Sequence, residues 1–268
     1  MGLYRPPAVP KPAPKRYLQA DQPDGVPPLE LTGERTLPDV PEENYWYRRH
    51  LAVYEWIAPR VEGMCVVDLA CGEGYGSAVL AGRAAEVIGV DANPEAYEHA
   101  RLRYERPGLR FERDLVENVA ALTADLDAVV FLQTIEHIED VPGLLRSIAT
   151  AAPLAFISTP NRLTLASPGA EKSDNPWHLR EYLLEEYRQV LQGSFGSVEI
   201  YGLFHARKLA LHERALGLGW DRVHRTLRLT KPFYDRFTPA ISSSDFALRR
   251  EVEADLELAR DFVAVCHR

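Results

Sequence analysis

Val66-Val67-Asp68-Leu69-Ala70-Cys71-Gly72-Glu73-Gly74-Tyr75-Gly76, followed by Val87-Ile88-Gly89-Val90-Asp91, is the stretch that decides the fold. It reads as a buried strand, a glycine-rich turn, a helix, and a second buried strand ending in a carboxylate. Cys65–Leu69 is a short apolar run suited to a strand covered on both faces, and Tyr75–Arg83 suits the helix. Glu86–Val90 is the second strand and Pro94–Tyr104 a second helix. Further strands are expected at Leu109–Glu112, Ala128–Leu132 and Leu154–Ser158, with helices near Val141–Thr150 and Glu181–Gln192. This alternation predicts a doubly wound, mostly parallel α/β sheet with right-handed crossovers. Val198–Tyr201 and Asp261–Cys266 complete seven strands. Between those two lies a charged stretch, residues 203–260, broken by Pro232, Pro239 and Ser242-Ser243-Ser244. It is expected to be a helical insertion that caps the substrate end of the sheet.

On the N-terminal side, residues 29–60 are expected to carry a lid helix, Glu42–Ile57, with Pro59 just past its end. Tyr45, Trp46, Tyr54 and Trp56 lie in it beside Arg48, Arg49 and His50. Residues 1–28 are rich in proline and poor in apolar side chains, which predicts a disordered or loosely wrapped tail. Residues 61–202 and 261–268 remain as the core. The 268-residue chain is 46% hydrophobic, enough for a sizeable core. Its net charge of −8, with no long basic run, argues against nucleic acid as a partner. Cys65, Cys71 and Cys266 fit neither a disulfide framework nor a zinc ribbon, so a reducing cytoplasm is expected. No apolar signal core and no run long enough to span a bilayer is found.

The turn after the first strand points to a cofactor. In an open α/β sheet, ligands bind beyond the carboxyl ends of the strands, where strand order switches. A dinucleotide fingerprint is Gly-x-Gly-x-x-Gly, whereas Gly72, Gly74 and Gly76 are spaced Gly-x-Gly-x-Gly behind Asp68 and Ala70. An acid at the strand tip is poorly placed for a pyrophosphate. It suits a cofactor without phosphate that carries an amino group and a sulfonium. Asp91, at the end of the second strand, is placed to accept from both ribose hydroxyls, with Ala92 beside it. Asp114 is placed to accept from an adenine amino group, and Leu115 to donate its backbone N–H.

These residues resemble class I S-adenosylmethionine-dependent methyltransferases over roughly residues 60–202. The family usually has glycine where this chain has Ala70, and often a Leu-Lys-Pro-Gly-Gly turn where this chain has Ala151-Ala152-Pro153. The resemblance implies that Gly72, Gly74, Asp91, Asp114 and the strand tip near Gln133 line S-adenosylmethionine. An arginine such as Arg49 would hold the methionyl carboxylate.

The acceptor chemistry centres on Gln133-Thr134-Ile135-Glu136-His137 at the tip of the fourth strand. A hydroxyl acceptor loses a proton as it attacks, and an imidazole can take it. His137 is the candidate base, the alternative being that Glu136 and His137 cap the next helix. Related hydroxyl methyltransferases carry Glu-x-x-Glu-His here and bind magnesium; this chain has a neutral Gln133 as the first member. His178, in Asn175-Pro176-Trp177-His178, completes a candidate Mg2+ site with Glu136 and His137, or acts as a second acid–base group. A helix N-terminus at Asn175-Pro176 is the structural alternative.

A narrower resemblance is carried by Leu31-Thr32-Gly33-Glu34-Arg35-Thr36-Leu37-Pro38-Asp39, Glu43-Asn44-Tyr45-Trp46-Tyr47-Arg48-Arg49-His50, Ala70-Cys71-Gly72-Glu73-Gly74-Tyr75-Gly76, Ser158-Thr159-Pro160-Asn161-Arg162 and Gly202-Leu203-Phe204-His205. These resemble the actinobacterial methyltransferases associated with methylglucose lipopolysaccharide. That implies O-methylation of a saccharide acceptor, such as the 6-hydroxyl of glucose units. O-methylation of a small secondary metabolite or quinone is the competing expectation, and a non-catalytic cofactor-binding protein a third.

Overall fold

A computed structural model describes residues 16–17, 23–31, 35–122, 125–167, 169–227 and 229–268. Most of the proline-rich segment, and the Thr32-Gly33-Glu34 part of the N-terminal motif, lie outside the described residues. The chain divides into two compact units. The larger spans Val53–Phe204 and Leu248–Arg268 and includes residues 23–27.

The main sheet comprises strands β1 (Cys65–Leu69), β2 (Glu86–Val90), β3 (Leu109–Glu112), β4 (Ala128–Leu132), β5 (Leu154–Pro160), β6 (Ser197–His205), β7 (Phe246–Arg250) and β8 (Asp261–His267). Their order across the sheet is β3-β2-β1-β4-β5-β8-β6-β7. Strands β1 to β5 pair in parallel, and β8 runs antiparallel between β5 and β6. Central β4 is buried at every residue, as its unbroken Ala-Val-Val-Phe-Leu run requires when helices cover both faces. The sheet therefore has eight strands rather than seven. The eighth, Phe246–Arg250, lies inside the stretch expected to be a purely helical insertion, and β6 continues to His205. Its exposed arginines mark it as an edge strand.

Helices α1 (Asn44–Ile57), α2 (Tyr75–Leu80), α3 (Pro94–Tyr104), α4 (Val141–Ala151) and α5 (Leu184–Gln192) follow the expected sequence. Asn93 caps α3 by accepting from Glu95 N and Ala96 N, and Asp140 caps α4 by accepting from Gly143 N. Helix α5 is anchored by Tyr187, whose hydroxyl donates to Ile157 O at 2.8 Å. The tip of β5 is pinned by Asn161, whose amide donates to the carbonyls of Glu257 and Ala259, each at 2.8 Å. Part of the expected tail is packed: Val26 is buried and Pro27 O lies 2.9 Å from His99 Nδ1.

The smaller unit joins Pro28–Ala52 to His205–Ala247. Two segments far apart in sequence, the expected lid and the expected insertion, thus form one body. Asn44 Nδ2 donates to Thr238 O at 2.8 Å and Ile241 O at 3.0 Å, and Tyr45 OH lies 2.8 Å from His205 Nε2. Helices α6 (Arg207–Gly217), α7 (Trp220–Thr226) and α8 (Thr230–Phe237) complete it. A short antiparallel pair, Arg16–Tyr17 with Leu29–Glu30, accompanies a cluster of Leu29, Leu37 and Val40.

Candidate functional site

Strand order reverses between β1 and β4, so the carboxyl ends of β1, β2, β4 and β5 frame the switch-point crevice. From β1 the chain enters the turn through Ala70, at φ 54°, then Gly72 at 58° and Gly74 at 95°. Gly74 also admits no side chain, because an added Cβ would lie 2.8 Å from Ala100 Cβ. Around Gly72 the space is open. Ala70 carries the strain of a left-handed residue with a Cβ, at the position where glycine is the family norm. Ala70→Gly is expected to stabilise the protein by about 0.5–1 kcal/mol net of the looser unfolded chain. Urea unfolding of the two proteins measures this; a clear loss of stability in the variant would contradict it.

Asp68 is fully buried, and its carboxylate accepts from Ser77 Oγ at 2.6 Å and Tyr54 OH at 3.1 Å. It thereby ties the strand tip to the first turn of α2 and to α1. Gly76 lies against the ring of Tyr54, with no room for a Cβ. Tyr54 was not expected from sequence to act here, and the small residue at Gly76 is the trace it leaves. Burial pushes the Asp68 carboxyl up to about 7, more than its two hydrogen bonds hold it down, and the charge of Asp91 adds to the rise. An acid whose folded pKa is raised stabilises the fold below its unfolded pKa, near 3.9, and loses that contribution as pH rises to about 7. The melting temperature of Asp68→Asn, relative to wild type, should therefore climb from pH 5 to pH 8. Parallel melting profiles would contradict this.

Asp91 Oδ2 accepts from Gly72 N and Oδ1 from Asn93 N, both at 2.8 Å, so one carboxylate fastens the glycine turn to the start of α3. Each carboxylate oxygen has a second lone pair, which suits a ribose diol. Ala92 is exposed between Asp91 and Asn93. Asp114 is held below the usual carboxylate range by Asn118 and by Leu115 N–H, both of which donate to its Oδ1. The Leu115 N–H expected to meet adenine is thus engaged by Asp114, while its side chain is exposed. Gln133, at φ 52° past the end of β4, donates from its amide to Ser158 Oγ at 3.0 Å. Arg49 belongs to the smaller unit, where it is buried with its guanidinium 4.9 Å from the Trp46 ring centre.

The three residues read as acceptor chemistry do come together. One ligand atom each of Glu136, His137 and His178 lies within 4.8 Å of the others. Glu136 and His137 occupy a single 3-10 turn, Ile135–His137, and do not cap α4, which Asp140 caps instead. His137 Nδ1 lies 2.8 Å from Trp177 O. A carbonyl only accepts, so Nδ1 carries the proton and the neutral ring has its lone pair on Nε2. His178 is fixed by the same logic. Asn175 Oδ1 accepts from Trp177 N at 3.0 Å, so its Nδ2 is the donor to His178 Nε2 at 2.9 Å. His178 Nδ1–H then donates to Glu181 Oε1 at 2.7 Å. No helix starts at Asn175-Pro176; a turn does, and α5 begins only at Leu184. Burial raises the carboxyl of Glu181, but hydrogen bonds from His178 and Ser173 outweigh it and leave it below its ordinary value. Glu181 and Asn175 are positioning residues that sequence reading missed, although both sit three residues from His178.

Glu136 is buried and accepts from Thr159 Oγ1 at 3.1 Å. Burial pushes its carboxyl up to about 8, against the pull of Thr159 and its own backbone N–H. Its backbone oxygen accepts from Leu179 N and Arg180 N, which holds the His178 segment on the β4 tip.

A protein-family model described as "Methyltransferase domain" matches residues 45–213. A probable S-adenosylmethionine-dependent methyltransferase of Mycobacterium tuberculosis is 42% identical over 188 residues, or 68% of this chain and 66% of that protein. This match thus spans just under two thirds of that relative's length. One from Mycolicibacterium smegmatis, described likewise, is 36% identical over 90% of this chain and 95% of its own length. The fold is shared with a solved S-adenosylmethionine-dependent methyltransferase of Thermotoga maritima, described as a possible histamine N-methyltransferase. The TM-score is 0.56 at 14% identity, covering 84% of this chain and 94% of that one. With a switch-point crevice at the glycine turn and a family match over most of its length, the chain belongs to the class I S-adenosylmethionine-dependent methyltransferases.

Proposed function

We propose that this methyltransferase methylates a hydroxyl of a saccharide, with His137 as the general base. The observation that carries the reading is the fixed tautomer of His137 at the tip of β4, which presents a basic Nε2 at the carboxyl edge of the sheet. Bound S-adenosylmethionine supplies a methyl group on a positively charged sulfur. Asp91 would hold its ribose, Asp114 its adenine, and Gly72 and Gly74 its closest backbone approach. Asp68 supports this site through Ser77 and Tyr54. His137 takes up the hydroxyl proton as the acceptor oxygen attacks, a role worth about 10²–10⁴ in rate. Glu181 orients His178, which serves as the second acid–base group once the Asn175 amide gives up its Nε2.

Trp177 is exposed beside His137 and offers a face for a sugar ring. The 6-hydroxyl of glucose units, as in methylglucose lipopolysaccharide, is the acceptor that the N-terminal motifs favour. Three free thiols fit a reducing cytoplasm as the place of action. Among the described residues, no helix is long and apolar enough to cross a membrane.

As an alternative to His137 acting as base, Glu136, His137 and His178 are a donor set for a divalent cation, which would take the His137 Nε2 lone pair and lower the pKa of an acceptor hydroxyl. Two imidazoles and one carboxylate suit zinc, iron, cobalt or manganese better than magnesium, which prefers oxygen ligands. Turnover of labelled S-adenosylmethionine on a panel of oligosaccharides, with and without chelator, tests both points. Label is expected on a sugar. Transfer to phenolic acceptors alone would overturn the saccharide, and turnover insensitive to chelator would remove the cation.

A further inference from the structure

We propose that the cleft lined by Arg162, Lys172, Leu179, Arg180 and Glu181 is an acceptor subsite that binds an anionic group, carboxylate or phosphate, on the saccharide. The inference rests on the saccharide reading above. The cleft has a volume of about 640 Å³, within the range of small-ligand sites, and Glu181 forms part of its wall. It adjoins the candidate acceptor centre through the chain itself: Leu179 and Arg180, both lining it, donate their N–H groups to Glu136 O at 2.9 and 3.2 Å.

Its charge is the informative property. Arg162, Lys172 and Arg180 line it against Glu171 and Glu181, in a chain whose net charge is −8. Glu181 is already engaged, with Oε1 accepting from His178 and Ser173 Oγ and Oε2 from Ser173 N. Arg162 lies 3.4 Å from Glu186, so it is partly neutralised. Lys172 Nζ donates to His178 O at 3.0 Å, which uses one of three ammonium protons. The Arg180 guanidinium lies 5.1 Å from the Tyr182 ring centre and makes no side-chain hydrogen bond or ion pair with the described residues. Three cations therefore face two acids across an open cleft, and two of the cations, Lys172 and Arg180, keep donor capacity. Leu163 and Leu179, 52% and 56% exposed, supply apolar walls for the C–H face of a sugar. An anion held here would set which hydroxyl along the saccharide reaches His137.

Equilibrium titrations of the full chain with S-adenosylhomocysteine bound test this, using inorganic phosphate, acetate, methyl glucoside and glucose 1-phosphate as probes. Phosphate and glucose 1-phosphate should bind in a salt-sensitive way, and glucose 1-phosphate more tightly than methyl glucoside. Lys172→Gln and Arg180→Gln should each weaken anion binding about tenfold, and Arg180→Glu should abolish it. S-adenosylhomocysteine affinity should stay unchanged in all three, which reports an intact fold. Anion binding indifferent to these substitutions, or equal affinity for the neutral and anionic glucosides, would overturn the subsite. Phosphate binding that depends on Lys172 and Arg180, without binding or methylation of any sugar, would support the anion site and overturn the saccharide reading instead.

Discussion

Replacing His137 with alanine is expected to lower turnover at least about 100-fold while leaving S-adenosylmethionine affinity nearly unchanged. The ring sits in the 3-10 turn that follows β4, and its Nδ1–H donates to Trp177 O, so its orientation and its tautomer are both set before an acceptor arrives. Removing it takes away the proton acceptor and none of the groups assigned to the cofactor. Calorimetric binding of the cofactor alongside steady-state turnover separates the two effects. Loss of cofactor affinity as large as the loss of turnover would place His137 in the donor site. The supporting residue should behave differently: Glu181→Gln leaves the ring in place but removes the charge that stabilises an imidazolium at His178.

Asp91→Ala is expected to raise the dissociation constant for S-adenosylmethionine at least about 100-fold. Two contributions add. The carboxylate would accept from both ribose hydroxyls, and hydrogen bonds to a charged group contribute about 1.5–3 kcal/mol each, where 1.4 kcal/mol is a factor of ten. The same carboxylate holds Gly72 N and Asn93 N at 2.8 Å, so its removal also loosens the turn that the cofactor would approach. Asp91→Asn keeps the shape and one acceptor oxygen, and should lose less. Saturating cofactor should restore much of the alanine variant's turnover. Unchanged affinity in the alanine variant would remove Asp91 from the donor site.

The sheet was legible because its strands are near-continuous apolar runs with Asp68, Asp91 and Gln133 at or just past their ends, and such runs belong to strands buried on both faces. Strand β7 was not. Phe-Ala-Leu-Arg-Arg is short and ends in charge, because an edge strand needs only one covered side. The smaller unit was equally hidden, since Asn44 meets the carbonyls of Thr238 and Ile241 across almost two hundred residues and no local period records that.

In the site, residue types were readable but their division of labour was not. Asp68 reads as a ligand to the cofactor's amino group, whereas its carboxylate is spent on Ser77 and Tyr54. The meeting of His178 with Glu136 and His137 was legible from their positions after β5 and β4. The Asn175 and Glu181 contacts that fix the His178 tautomer depend on a turn where the sequence also allowed a helix.

The most direct measurement is the identity of the product. The protein is incubated with S-adenosylmethionine carrying a 13C methyl group and a glucose oligosaccharide, and the product is examined by NMR. A new 13C methyl ether resonance on the sugar, lost in His137→Ala, is the predicted result. A labelled methyl on nitrogen or carbon, or an ether that forms equally well without His137, would contradict hydroxyl methylation with His137 as the base.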